Sequence, residues 1–114
     1  MRTINLFVVH CSATREDCTL SPEALDVMHR RRGFNGTGYH YYIRKDGTLY
    51  LTRSLERIGA HAKGFNAHSI GICYEGGLDC RGRPAVQATF IADTYRMGIE
   101  AVCVGPDTQS LIDI

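Results

Sequence analysis

Tyr39-His40-Tyr41-Tyr42-Ile43-Arg44-Lys45-Asp46-Gly47-Thr48-Leu49-Tyr50-Leu51-Thr52 reads as two β-rich runs around one turn. Asp-Gly between such runs is the strongest short hairpin signal. It predicts strands over residues 39–44 and 49–52, joined by a type I′ turn with positive φ at both central residues. Upstream, Ile4 to His10 is rich in β-formers and predicts a buried strand. Between the two, Ser21-Pro22-Glu23 opens a helix, with Ser21 as N-cap, Pro22 at the first helical position and acid in the first turn. Leu25 and Met28 share a face of it, Arg30 to Arg32 crowd its last turn, and Gly33 ends it. Downstream, Ser69 to Tyr74 is another strand, stopped by Gly76-Gly77, and Asp79 to Pro84 is a turn-rich loop. A helix from Val86 to Met97 and a short strand from Glu100 to Val104 complete the chain. Helix and strand alternate, so the class is α/β: a mixed central sheet flanked by helices, in a single domain over residues 1–114.

The 114 residues are too few for two stable domains. A hydrophobic fraction of 44% and a charged fraction of 22% are those of an ordinary globular domain. The net charge of +1 gives no global basic field and argues against nucleic acid as the main partner. The longest apolar runs, such as Leu6-Phe7-Val8-Val9, are too short to span a bilayer, so no membrane partner is expected. The N-terminus has no extended apolar stretch or small-residue cleavage site, which predicts synthesis in the cytoplasm. Cys11, Cys18, Cys73, Cys80 and Cys103 form no CxxC pair, which fits free thiols better than a disulfide framework. A Cys11–Cys18 bridge across a surface loop is the alternative.

Three segments carry candidate chemistry. His10 closes the first strand at the sheet's edge, a good position for a metal ligand, although a lone histidine is more often satisfied by one hydrogen bond. Tyr39 and His40 alternate at the start of the hairpin, so one faces the sheet interior and the other the opposite side. A tyrosine hydroxyl beside a metal can donate to an oxyanion; the alternative is that Tyr39, Tyr41 and Tyr42 pack a half-buried strand. Gly59-Ala60-His61-Ala62-Lys63-Gly64-Phe65-Asn66 is a loop of small residues with His, Lys, Phe and Asn interleaved. It either lines a groove that reads a polar peptide or sugar, or is a turn-rich connection with a solvated His61.

Taken in order, these blocks carry a resemblance. Phe7-Val8-Val9-His10-Cys11-Ser12-Ala13-Thr14, Gly38-Tyr39-His40-Tyr41-Tyr42-Ile43, Lys45-Asp46-Gly47-Thr48, the 59–66 loop, Ser69-Ile70-Gly71-Ile72-Cys73 and Glu75-Gly76-Gly77-Leu78-Asp79 follow one another. Together they resemble the N-acetylmuramoyl-L-alanine amidase family of the bacteriophage T7 lysozyme type, related to the peptidoglycan recognition proteins. The resemblance covers residues 4 to about 83 and leaves 84–114 as a divergent tail. It implies a Zn2+ cofactor at the edge of a mixed sheet, with His10 as a metal ligand and Tyr39 as a catalytic residue. His40, His61, Lys63 and Asn66 become candidate substrate contacts, and peptidoglycan or a muramyl peptide the partner. The implied reaction cuts the amide between N-acetylmuramic acid and L-alanine of the stem peptide, in the cell wall once the protein is released or exported.

The same resemblance exposes a departure. The family takes two further zinc ligands, a histidine and a cysteine, from a late strand and the loop after it. Here no histidine follows His68, no cysteine follows Cys103, and Pro106 stands where the histidine is expected. Cys103 substitutes as a ligand if the tail folds back. An altered reading frame or an eroded end would account for the tail and leave the C-terminal part of the fold incomplete. Catalytic zinc normally needs three protein ligands, so a non-catalytic muramyl-peptide binding module stands as the alternative to an active amidase. A sheet surface left uncovered would invite self-association.

Overall fold

The computed structural model describes residues 2–83, and the backbone of 101–104. The helix expected from Val86 to Met97 lies outside the described residues. In chain order the elements are β1 (Leu6–Cys11), β2 (Thr14–Arg15), α1 (Pro22–Arg31), β3 (Tyr41–Ile43) and β4 (Leu49–Leu51). A 3-10 turn (Asn66–His68), β5 (Ser69–Tyr74), β6 (Gly77–Leu78) and β7 (Ala101–Val104) follow.

Five strands form one sheet in the order β4-β3-β5-β1-β7, and β2 and β6 form a separate two-stranded ladder. β1 runs parallel to β5 and β7, β3 runs parallel to β5, and β4 alone is antiparallel to its neighbour. The sheet is mixed, as the alternation of elements implies. β1 lies inside it and not at its edge. Its apolar residues Val8 and Val9 fall on opposite faces and are both buried, the pattern of a strand covered on two sides.

Helix α1 follows its capping signals. The Ser21 hydroxyl accepts from the Ala24 amide at 3.1 Å, and Pro22 takes the first helical position. At the other end Gly33 sits at φ 93°, Gly33 donates to the Arg30 carbonyl and Phe34 to the His29 carbonyl. That pair of bonds is a Schellman motif. The buried face carries Leu25 and His29, one turn apart, while Met28 is 46% exposed. The face expected from Leu25 and Met28 is therefore rotated by one residue.

The hairpin forms, but its turn differs from expectation. Gly47 lies at φ 88° while Asp46 does not have positive φ. Gly47 donates to the Arg44 carbonyl and Arg44 to the Thr48 carbonyl, both at 2.9 Å. This is a three-residue loop with a single left-handed position, which Gly47 fills, and not a two-residue type I′ turn. Asp46 still contributes by accepting from the Thr48 amide at 2.9 Å.

Register sets the layers. His10 pairs with Cys73, Cys73 with Tyr42, and Tyr42 with Tyr50, so four strands contribute to one face at the same level. Helix α1 covers that face, with Leu25 packing on Tyr39, Tyr42 and Cys73. The opposite face holds Val9, Cys11 and Tyr74, with Ile43 packed against them. Cys103 shares its register position with Val9, and Val104 with His10. Cys11, Cys18, Cys73 and Cys80 are free thiols, and Cys11 is buried while Cys18 is exposed. Among the described residues no helix is long and apolar enough to cross a membrane.

The elements are tied together by one buried carboxylate. Glu75 follows β5 and is 2% exposed. It accepts from the Leu20 amide at 2.6 Å, the Lys45 amide at 3.0 Å, and Arg44 Nε and Nη2 at 2.8 and 3.2 Å. Burial alone would raise its pKa, but the Arg44 bond and the two backbone amides outweigh burial and hold it below the ordinary value. Glu75→Ala leaves two amides unpaired and Arg44 without its partner. The expected loss is about 3–5 kcal/mol of unfolding free energy, read as a lower urea midpoint with unchanged slope.

Candidate functional site

Against the helix side of β1 lies a run of five aromatic rings in continuous contact. His29 meets Tyr39 at 5.2 Å between centroids, Tyr39 meets His10 at 5.0 Å, His10 meets His61 at 5.0 Å, and His61 meets His40 at 5.9 Å. The five rings come from four segments. β1 supplies His10, α1 supplies His29, the segment leading into β3 supplies Tyr39 and His40, and the 59–66 loop supplies His61. Tyr39 and His40 precede the strand, so its alternation does not govern them. Both are buried and both turn toward His61.

The four histidines of the run are buried, and six of their eight ring nitrogens face a hydrogen-bonding group. His29 Nδ1 accepts from the Gly38 amide at 2.8 Å, which docks the helix against the start of the hairpin. His40 Nδ1 accepts from the Gly71 amide at 3.1 Å and its Nε2 donates to the Arg57 carbonyl at 2.8 Å. Arg2 Nη2 also lies 2.8 Å from that Nε2. His61 Nδ1 lies 2.9 Å from His10 Nε2, and His61 Nε2 lies 3.3 Å from the Ser69 hydroxyl. Of the other two, His10 Nδ1 is buried without a hydrogen-bond partner among the described residues.

Electrostatics keep the run neutral. Burial lowers the pKa of His10, and the nearby His29 lowers it further. Burial likewise brings His29 down to about 4, with Arg32 adding to the effect. Burial also lowers His61, reinforced by His10 and His40. Tyr39 moves the other way: burial and the neighbouring thiols of Cys73 and Cys11 raise its pKa well above the ordinary value, so the phenol stays protonated. Its ring packs with Leu25, Tyr42 and Cys73.

Of the residues singled out from sequence, His10, Tyr39, His40 and His61 come together. Lys63 and Asn66 do not join them. Lys63 is exposed on the loop, and Asn66 works inside the loop, its Oδ1 accepting from the His61 and Ala62 amides at 3.0 Å each. His29 was missed. Its signal was present, because it stands four positions after Leu25 on one helical face.

A partnerless buried nitrogen on His10 suits a zinc ligand, since neutral imidazole offers such a lone pair. The fit is to one coordination position. Among the described residues no group of three His, Cys, Asp or Glu is placed to hold a metal ion.

The sequence matches the family described as N-acetylmuramoyl-L-alanine amidase over residues 1–109. The endolysin of Enterobacteria phage K11 is 39% identical over 83 residues, covering 73% of this chain and 55% of the endolysin. Peptidoglycan-recognition protein LB of Drosophila melanogaster is 40% identical over 57 residues, covering 49% of this chain and 25% of that protein. Among solved structures, the N-acetylmuramoyl-L-alanine amidase LysC from Clostridium intestinale URNW superposes with a TM-score of 0.65 at 32% identity. That match covers 90% of this chain and 70% of LysC. The fold and the sequence thus define an amidase-type α/β domain. This chain belongs to the N-acetylmuramoyl-L-alanine amidase family, and it spans about half the length of the K11 endolysin it matches.

The buried histidines make stability pH-dependent. The ordinary histidine value is 6.5 and that of folded His29 is about 4, so the unfolded chain takes up protons that the folded chain refuses. Stability is therefore full above about pH 6.5 and declines as the pH falls toward about 4. Urea midpoints measured near pH 7 and near pH 5 should show this fall. His29→Gln is expected to lower the midpoint at pH 7 while making its pH dependence shallower.

Proposed function

We propose that this chain is a peptidoglycan amidase domain, built to hydrolyse the amide between N-acetylmuramic acid and L-alanine, with His10 and Tyr39 at its centre. The observation that carries the reading is the bare, buried Nδ1 of His10 packed beside the protonated Tyr39, in a chain of this family. Peptidoglycan is the ligand class supported by the endolysin and recognition-protein relatives.

His10 would hold one position on a zinc ion. When bound, zinc supplies Lewis acidity toward the amide carbonyl. The chain's own contribution is clearer at Tyr39. An amide carbonyl gains negative charge on oxygen as it is attacked, and a phenol kept neutral by burial can donate to that oxygen. The remaining rings exclude water and fix His10 and Tyr39 in place.

A second reading is a muramyl-peptide binding module without turnover. The absence of a three-donor metal group among the described residues favours it. Lys63, exposed on the 59–66 loop, is available to a ligand in either case.

Two measurements separate the readings. Zinc content after dialysis against the metal, together with release of new L-alanine amino termini from purified peptidoglycan, supports the amidase. Saturable muramyl-peptide binding with neither zinc nor release supports the binding module. In an active protein His10→Ala is expected to remove zinc, and zinc content equal to wild type would displace His10 from the site. Tyr39→Phe is expected to lower kcat about 10²–10³-fold with little change in KM; equal turnover would remove Tyr39 from the mechanism.

A further inference from the structure

His61 is fully buried, with 0% of its surface exposed, and each of its ring nitrogens faces a group of this chain. That placement leaves no side of the ring for a substrate. It also raises the question of what the ring does for His10, whose Nε2 it meets at 2.9 Å.

Two proton arrangements satisfy the contacts. In one, His10 Nε2–H donates to His61 Nδ1, and His61 Nε2–H donates to the Ser69 hydroxyl 3.3 Å away. In the other, every bond runs in reverse, with Ser69 donating to His61 and His61 to His10. The difference falls on His10 Nδ1, which is buried and has no partner among the described residues. The first arrangement leaves a bare lone pair there, and the second leaves an orphaned N–H. A buried N–H without an acceptor is the rarer and costlier defect. The first arrangement therefore prevails.

The position of His61 is built with unusual firmness. A Cβ at Gly71 would lie 2.5 Å from the ring carbons Cδ2 and Cγ of His61, and one at Gly59 would lie 2.6 Å from Cδ2. Both are below any ordinary contact, so two glycines leave the room the ring occupies. Asn66 Oδ1 meanwhile grips the backbone amides of His61 and Ala62. A solvated loop histidine needs none of this.

We infer that His61 is a positioning residue: as acceptor for His10 Nε2–H, it fixes His10 in the tautomer whose Nδ1 lone pair is free for a Lewis-acidic divalent cation. A metal-binding histidine commonly donates its second nitrogen to such a partner, which sets the ring's tautomer and orientation. Here the partner is a second imidazole relayed to Ser69. The cation part of the inference rests on the reading of His10 given above, whereas the tautomer belongs to the metal-free protein.

The test is long-range proton–nitrogen NMR correlation on metal-free protein with isotope-labelled histidine near neutral pH, followed by titration with zinc alone. His10 is expected to carry its proton on Nε2 and His61 on Nε2. A wild-type His10 protonated on Nδ1 would overturn the proposal without any variant. His61→Phe removes the acceptor and should give His10 a mixture of tautomers and about 10–100-fold weaker zinc binding. His61→Asn, whose Oδ1 lies near the position of Nδ1, should restore the single tautomer and most of the affinity. A folded His61→Phe protein with the wild-type His10 tautomer sinks the proposal. The expected tautomers with no zinc uptake uphold the positioning role and remove the zinc reading of His10.

Discussion

Imidazole rings buried beside an inner strand of a mixed sheet impose the constraint on which this molecule depends. Each ring brings two nitrogens that water can no longer serve, and an unpaired polar atom in the interior is expensive. The chain meets the demand locally and at a distance. His29 takes the Gly38 amide and His40 takes the Gly71 amide and the Arg57 carbonyl, while His61 lies between His10 and Ser69. One of these backbone partners, Gly71, belongs to β5, so the rings are tied directly into the sheet. Among the described residues the buried Nδ1 of His10 escapes this closure, and it is the nitrogen with chemistry to offer.

A second buried group holds the frame in which that run sits. Glu75 receives the lead-in to α1 and the tip of the β3–β4 hairpin at the end of β5. The hairpin tip is anchored again from outside, where the Lys45 ammonium reaches the backbone carbonyls of Arg15, Glu16 and Cys18. These links fix α1 and the hairpin relative to β5, and so fix His29 and Tyr39 relative to His10. The geometry of the ring cluster is in this sense set by a carboxylate on the far side of the hairpin.

What could be read from the sequence was what short-range chemistry decides. Ser21 and Pro22 begin α1, Gly33 ends it, and Asp46-Gly47 marks a hairpin, because caps and turns involve residues a few positions apart. The turn type was misjudged for the same reason: Asp-Gly serves both a two-residue loop and a longer one, and strand register decides between them. His29 was overlooked because Leu25 and Met28 are both apolar, whereas the helix in fact buries the four-residue spacing. The inward turn of the 59–66 loop was not legible at all. Its small polar residues suggest a solvated connection, and the space for His61 is provided largely by Gly71, on another strand. Asn66 and His61, expected as neighbours along a groove, are instead bonded to one another within the loop.

The parallel register of β1 and β5 also governs how the site comes into being. Helix α1 and the β3–β4 hairpin close over short stretches of chain, and such elements form quickly. His10 and His61 stand 51 positions apart, and their meeting requires the β1–β5 ladder. Closing loops of that length precedes any reward from the contacts they bring. The helix and the hairpin are local enough to begin forming without the imidazole pair, whereas the pair arises together with the β1–β5 ladder. The chemistry of His10 is a property of the completed topology, brought about by a long-range pairing and not by any local fragment.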